Sequence, residues 1–262
     1  YLFGLAKYYV YKKDMTQSEK LYIEANNEIL KIQRYYTLKH QSKNSKIKKI
    51  FIDGFDKSQK IDSNKGEGLI FIVGMPRSGT TLLESIIGSN DNVISGGELT
   101  SMHQLSGYYY LDEQEDAMLE RHGNRNIGDI YLNRISFIKD DKKFFIDKLP
   151  GNYHNIGFIK KFLPAAKIIY IKRNIWDIAT SIYKQFYVNN IPYAASFFNI
   201  AVNIANHEEL IRFWGSEMSY DFMTVEYEEL VSDTGNVANN IFKYCGIDGN
   251  YNEDTRKNFF SR

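Results

Sequence analysis

The stretch IFIVGMPRSGTTLLESIIG, Ile70 to Gly88, decides how the rest of the chain is read. Leu69 to Val73 form an apolar, partly β-branched run, which suits a strand buried on both faces. Gly74 ends the run, Gly79 follows five positions later, and Thr80, Thr81 and an amphipathic segment then open a helix. Gly74 lets the chain turn. Gly79 lets the backbone approach an anion, which the free amides and dipole of the helix start favour. A nucleoside triphosphatase carries lysine where Thr80 stands, and that lysine reaches the β- and γ-phosphates. Here the cation is Arg77, earlier in the loop, and a planar guanidinium suits a single phosphate or its bridging oxygen. The ligand is therefore expected to present a short anion at this end, such as a 5′-phosphosulfate. A tight turn that binds nothing is the plainer alternative.

Outward from this loop, KFFID (143–147) and KIIYIKR (167–173) repeat the buried-strand character, and DFMTVEY (221–227) is a weaker fourth. Helical patterns fall at about 80–89, 127–139, 153–162, 176–187, 192–215 and 234–245. Strands alternating with helices predict an α/β fold, a P-loop-like parallel sheet flanked by helices with right-handed crossovers. Residues 2–40 read as two helices broken at KKDM, a short all-α hairpin that precedes the sheet. The expected domains are the hairpin at 1–41, a linker at 42–66 that holds a short amphipathic segment near 46–52 and is then polar, and the α/β domain at 67–262. Residues 99–126 are the least readable part, and their position suits a substrate-side cap.

Hydrophobic residues make up 43% and charged residues 25%, as in an ordinary globular protein, and the formal net charge is +1. Bulk charge therefore predicts neither a nucleic-acid nor a membrane partner, and any anion site must be local. One cysteine, Cys245, excludes an intrachain disulfide and reads as a small core residue near a helix end. No run reaches the length of a membrane span, and no signal peptide opens the chain, so a cytoplasmic location is expected. The chain starts at Tyr1 rather than Met, and residues are expected to precede it.

The loop PRSGTT resembles the 5′-phosphosulfate-binding loop of sulfotransferases that use 3′-phosphoadenosine 5′-phosphosulfate (PAPS). The arginine version is more similar to the tyrosylprotein and the tetratricopeptide-linked bacterial enzymes than to the cytosolic ones. The resemblance implies that Pro76, Arg77, Ser78, Gly79, Thr80 and Thr81 bind this cofactor and its product, 3′-phosphoadenosine 5′-phosphate (PAP), with no metal required. A second signature, an arginine ending a strand and a serine eight residues later, matches Arg173 and Ser181, which the resemblance assigns to the 3′-phosphate. Eight residues make a little over two helical turns, so both groups can face the strand's carboxyl end. The usual proline after the Arg-Asn pair is Ile175 here. Lys148, in FIDKLPGNYHN, matches a lysine that contacts the phosphosulfate and stabilises the leaving phosphate; a surface lysine is the alternative. Tyr227, in VEYEELVSDTGN, matches a tyrosine that helps hold the nucleotide; a core aromatic is the alternative. The hairpin resembles one tetratricopeptide repeat, with Ala25 at a small-residue position. It is expected to end a longer array or dock on the next domain, and it offers a surface for a protein partner. The family's C-terminal basic segment has no complete counterpart before Arg262.

Transfer to an acceptor hydroxyl or amine needs a base. The cytosolic enzymes use a histidine two residues after the lysine, where this chain has Pro150. The tyrosylprotein enzymes use the second glutamate of a GEET-like stretch, where this chain has SGGELT with Glu98 and then Leu99. Glu98 is the candidate base and, with Arg77 and Lys148, completes the catalytic set that the resemblance implies. A structural acid pairing with Arg77 or Lys148 is the competing reading of Glu98, and His154 is a second candidate base. His103 and His122 read as surface residues. The acceptor class stays open among peptide tyrosine, carbohydrate and small hydroxylated molecule. Two other functions stay open: a nucleotide or nucleoside kinase using Mg·ATP with Asp147 as metal ligand, and a non-catalytic tetratricopeptide interaction protein.

Overall fold

Leu69–Gly74 is the middle strand of a five-stranded parallel sheet. The computed structural model describes residues 1–32, 37–53, 61–110, 126–187, 191 and 193–254, with backbone alone at 37–42 and 108–110. In chain order, helices α1 (Leu2–Tyr11), α2 (Met15–Ile32) and α3 (Thr37–Ile52) precede β1 (Leu69–Gly74) and α4 (Thr80–Ile87). Next come β2 (Val93–Ser95), α5 (Ser101–Tyr110), α6 (Ile127–Lys139), β3 (Phe144–Asp147), a 3-10 turn (Pro150–Asn155), α7 (Ile156–Phe162) and β4 (Lys167–Lys172). The remainder is α8 (Ile175–Tyr183), α9 (Phe197–Arg212), a π-helical turn (Phe213–Glu217), β5 (Met223–Glu226), α10 (Tyr227–Ser232) and α11 (Thr234–Cys245).

These elements form two compact units, Tyr1–Ser42 with Asn174–Glu209, and Lys43–Arg173 with Leu210–Arg262. In the second unit the strand order is β2-β3-β1-β4-β5, all parallel, with Phe71 opposite both Asp147 and Ile168. The two faces of β1 feed two cores, as the period of two requires. Leu69, Phe71 and Val73 join one cluster with Tyr131, Phe158 and Trp214. Ile70 and Ile72 join the other with Leu83, Ile86 and Phe242. Cys245 is buried beside that second cluster, and burial pushes its thiol up to about 12, which suits a core residue.

Three features differ from the sequence expectation. The linker placed at 42–66 is helical as far as Ile52, because Ile47 and Phe51 are core residues. Phe51 meets Phe158 at 5.1 Å and Trp214 at 5.0 Å between ring centroids, and it lies against Gly157, where an added Cβ would stand 2.5 Å from its ring. Residues 54–60 of that linker lie outside the described residues. The edge strand β2 was not expected; three residues are too few to show a period. Lastly, residues 174–209 fall in the unit of the amino-terminal hairpin rather than in a domain running from 67 to the end.

The first unit explains that grouping. Phe3, Ala6, Leu21, Tyr22 and Ala25 pack α1 on α2, with Tyr183 of α8 against them. Asn26 donates to the carbonyls of Tyr22 at 2.9 Å and Tyr183 at 3.0 Å, and Tyr183 stacks on Phe197 at 4.3 Å. At the start of α8, the Asn174 side chain accepts from the Trp176 amide at 2.9 Å. This cap satisfies the helix start without a proline at its first position. Of the expected cap at 99–126, Ser101–Tyr110 is helical and 111–125, with His122, lie outside the described residues.

Candidate functional site

Parallel strands share one carboxyl edge, and in such sheets ligands bind outside that edge. Each strand here is followed by a residue of interest: β1 by the loop 75–79, β2 by Glu98, β3 by Lys148, β4 by Arg173 and β5 by Tyr227. All of these belong to the second unit.

The loop is held by its own side chains. Ser78 is buried and its hydroxyl donates to the Met75 carbonyl at 2.7 Å. Arg77 adopts a left-handed φ of 71°, a conformation that costs a non-glycine residue about 1 kcal/mol or more. Its carbonyl accepts from Arg173 Nη1 at 3.0 Å, which ties the loop to the end of β4. Gly79 caps α4 with φ 102°, and an added Cβ would stand 2.3 Å from the Tyr227 ring. The same ring lies 4.3 Å beneath the Arg173 guanidinium, within cation–π reach. Tyr227 therefore braces both the loop and the arginine, whatever else it touches. Pro76 is half-buried, Thr80 buried and Thr81 exposed. Ser181 is half-buried on α8, in the first unit, and its partnership with Arg173 remains an expectation drawn from spacing.

Lys148 is the second focus. Its side chain is 7% exposed, and its ammonium donates to Glu98 Oε1 at 2.6 Å and lies 3.6 Å from Glu84 Oε2. The two carboxylates differ in setting, Glu98 being 59% exposed and Glu84 only 9%. The Ser95 hydroxyl donates to Glu84 Oε1 at 2.5 Å and accepts from the Gly97 amide at 3.1 Å. The Lys148 amide donates to the Gly97 carbonyl at 2.9 Å. The turn that carries Glu98 is thus fastened on both sides. The pairing of Glu98 with Lys148 weighed at the level of sequence is present. Glu84 was missed, although a carboxylate four residues after Thr80, on the face of α4 shared with Leu83 and Ile87, is the available signal.

Asp147, one residue before Lys148, points the other way. Tyr131 donates to its Oδ2 at 2.7 Å and Asn152 to its Oδ1 at 3.2 Å. The network continues through Asn155 to Ser106, all of it buried. Burial pushes the Asp147 carboxyl up to about 7, against the Tyr131 hydrogen bond and the Lys148 charge. A buried acid with both oxygens engaged inside the fold is a poor candidate for the metal ligand of the kinase alternative.

A pH dependence follows. The folded chain keeps the Asp147 proton up to about pH 7, whereas the unfolded chain loses it near the ordinary value of 3.8. Between those values the folded state binds more protons, so stability falls as pH rises. The melting temperature of the wild type is expected to drop relative to Asp147→Asn across that window, and the gap to stay constant below it. Calorimetric melts at three pH values check this; a gap that does not change between acid and neutral pH contradicts it.

His154, the alternative base, lies on the 3-10 turn with Nδ1 3.1 Å from the Gly151 carbonyl and its ring on Tyr153 at 3.9 Å. His103 is exposed. Among the described residues, no group of three or more His, Cys, Asp or Glu side chains is placed to hold a metal, and no helix is long and apolar enough to cross a membrane.

Sheet, loop and strand-end cations define an α/β protein with a phosphate-loop-like turn that lacks its lysine. A family model described as Sulfotransferase family matches residues 70–253, and the chain belongs to that family. The sulfotransferase domain from the Synechococcus PCC 7002 olefin synthase superposes with a TM-score of 0.53 at 22% identity, over 79% of this chain and 82% of that one. That likeness shows the fold. An uncharacterized protein of Aquifex aeolicus (strain VF5) is 25% identical over 94% of this chain and 34% of its own length. The chain therefore spans about a third of that relative.

Proposed function

We propose that the chain moves a sulfuryl group from PAPS to a hydroxyl or amine acceptor: a peptide tyrosine, a carbohydrate or a small hydroxylated molecule. One observation carries this reading. Three adjacent parallel strands, β3, β1 and β4, each lead at the carboxyl end to a cation: Lys148 and Arg173 directly after β3 and β4, and Arg77 three residues after β1. An adenosine with anions at both ends of its ribose needs cations at two separated points, and a single phosphate cradle would not. The donor set fits that ligand. Amides of Gly79, Thr80 and Thr81 at the start of α4, with Arg77, suit the 5′ anion, and Arg173 suits the 3′-phosphate.

PAPS, when bound, supplies the activated sulfuryl group. The reaction forms a bond from the acceptor oxygen or nitrogen to sulfur and breaks the bond from sulfur to the phosphate oxygen. Such transfers pass through loose, in-line transition states, so the protein's work is positioning and charge stabilisation. Arg77 and Lys148 oppose the charge left on the phosphate. Glu98 takes the acceptor's proton. Tyr227 braces Arg173 and the loop, and the α1–α2 hairpin is read as a tetratricopeptide-like unit that can face a protein partner.

Titration calorimetry tests the reading without an acceptor. PAP is expected to bind in the absence of Mg²⁺, and Mg·ATP is not. Binding of Mg·ATP alone would replace this reading with the kinase one, and binding of no adenine nucleotide would favour an interaction protein.

A further inference from the structure

Two carboxylates share the Lys148 ammonium, and only one of them is exposed. Glu98 sits in an exposed turn. Glu84 sits inside α4, buried, with Oε1 held by the Ser95 hydroxyl. A buried ammonium stripped of its only counter-charge is costly, so one partner can leave Lys148 only if another stays. The 2.6 Å contact occupies Glu98 and Lys148 with each other.

We propose that Glu84 is the positioning carboxylate of this site, holding Lys148 while the ammonium exchanges Glu98 for the nucleotide's 5′-phosphate and so frees Glu98 for the acceptor's proton. The proposal rests on the sulfotransferase reading. It makes the Lys148–Glu98 pair a latch that donor binding opens, with Ser95 linking the fixed carboxylate to the turn that carries the mobile one. Donor therefore binds before acceptor. Glu84 touches neither donor nor acceptor and acts through Lys148.

Two measurements test this. On the unliganded protein, double-mutant cycles on thermal stability pair Lys148→Met with Glu84→Gln and with Glu98→Gln. Strong coupling is expected for Glu84 and near-additivity for Glu98, because Lys148→Met orphans the buried Glu84 charge but leaves the exposed Glu98 to solvent. Coupling confined to Glu98 would overturn the proposal. By calorimetry with PAP, Glu84→Gln is expected to raise the Kd about tenfold, the loss of roughly one charged contact, while Glu98→Gln changes it less than about threefold. Glu84→Asp, which keeps the charge, should recover part of the affinity. A Glu84→Gln chain that melts lower but binds PAP like the wild type shows a purely structural carboxylate and defeats the idea. If the wild type binds no PAP, the sulfotransferase reading fails, and the stability cycles still decide which carboxylate holds Lys148.

Discussion

Arg173→Ala is expected to weaken PAP binding by about a hundredfold, since a charged hydrogen bond to phosphate is worth at least about 1.5 kcal/mol and a guanidinium makes two. The same side chain holds the Arg77 carbonyl at 3.0 Å and rests on Tyr227, so its loss also releases the left-handed turn at Arg77. Arg173→Lys separates the two contributions. It keeps the charge and gives up the planar fork, and an intermediate loss of about tenfold is expected. Calorimetry on both variants, beside melting curves to confirm folding, provides the check. A Kd within about threefold of wild type for a folded Arg173→Ala would detach Arg173 from the nucleotide, because a phosphate contact of ordinary strength exceeds that.

Glu98→Gln has the second large expected effect. General-base catalysis contributes about 10²- to 10⁴-fold, so turnover should fall about a thousandfold. Nucleotide affinity should stay nearly intact, because Lys148 keeps Glu84 at 3.6 Å. A PAPS-dependent acceptor screen comes first; single-turnover transfer to the acceptor it finds then separates chemistry from binding. Undiminished transfer would remove Glu98 from the proton's path and direct attention to His154. That residue stands six positions beyond Lys148 on the 3-10 turn.

Much of the fold is legible in the sequence for a local reason. Leu69 to Gly74 is apolar at every position, which only a strand covered on both faces tolerates, and the glycine pair and threonines that follow specify a turn into a helix. Helices such as Ile127–Lys139 and Thr234–Cys245 show their periods plainly and begin and end where expected. The strand Val93–Ser95 does not, because it is three residues long and borrows its order from β3. Helix α3 shows in the sequence only as the amphipathic segment near 46–52; what Ile47 and Phe51 pack against is not legible until the aromatic cluster around Trp214 is known.

The candidate site divides along the same line. Arg77, Lys148, Arg173 and Tyr227 each stand beside a strand end that the sequence marks, so the parallel order alone brings them to one edge. Glu84 carries no mark of that kind: in TTLLESII it reads as one polar residue in a helix. Its partners, Ser95 and Lys148, lie 11 and 64 positions further on, and the grouping of residues 174–209 with the amino-terminal hairpin is equally remote in sequence. Periodicity and turn chemistry are properties of neighbours along the chain, so the sequence determined the strand, the loop and the cations at the sheet's edge. Which carboxylate is buried against which cation depends on packing between distant segments, and tertiary structure alone decided that.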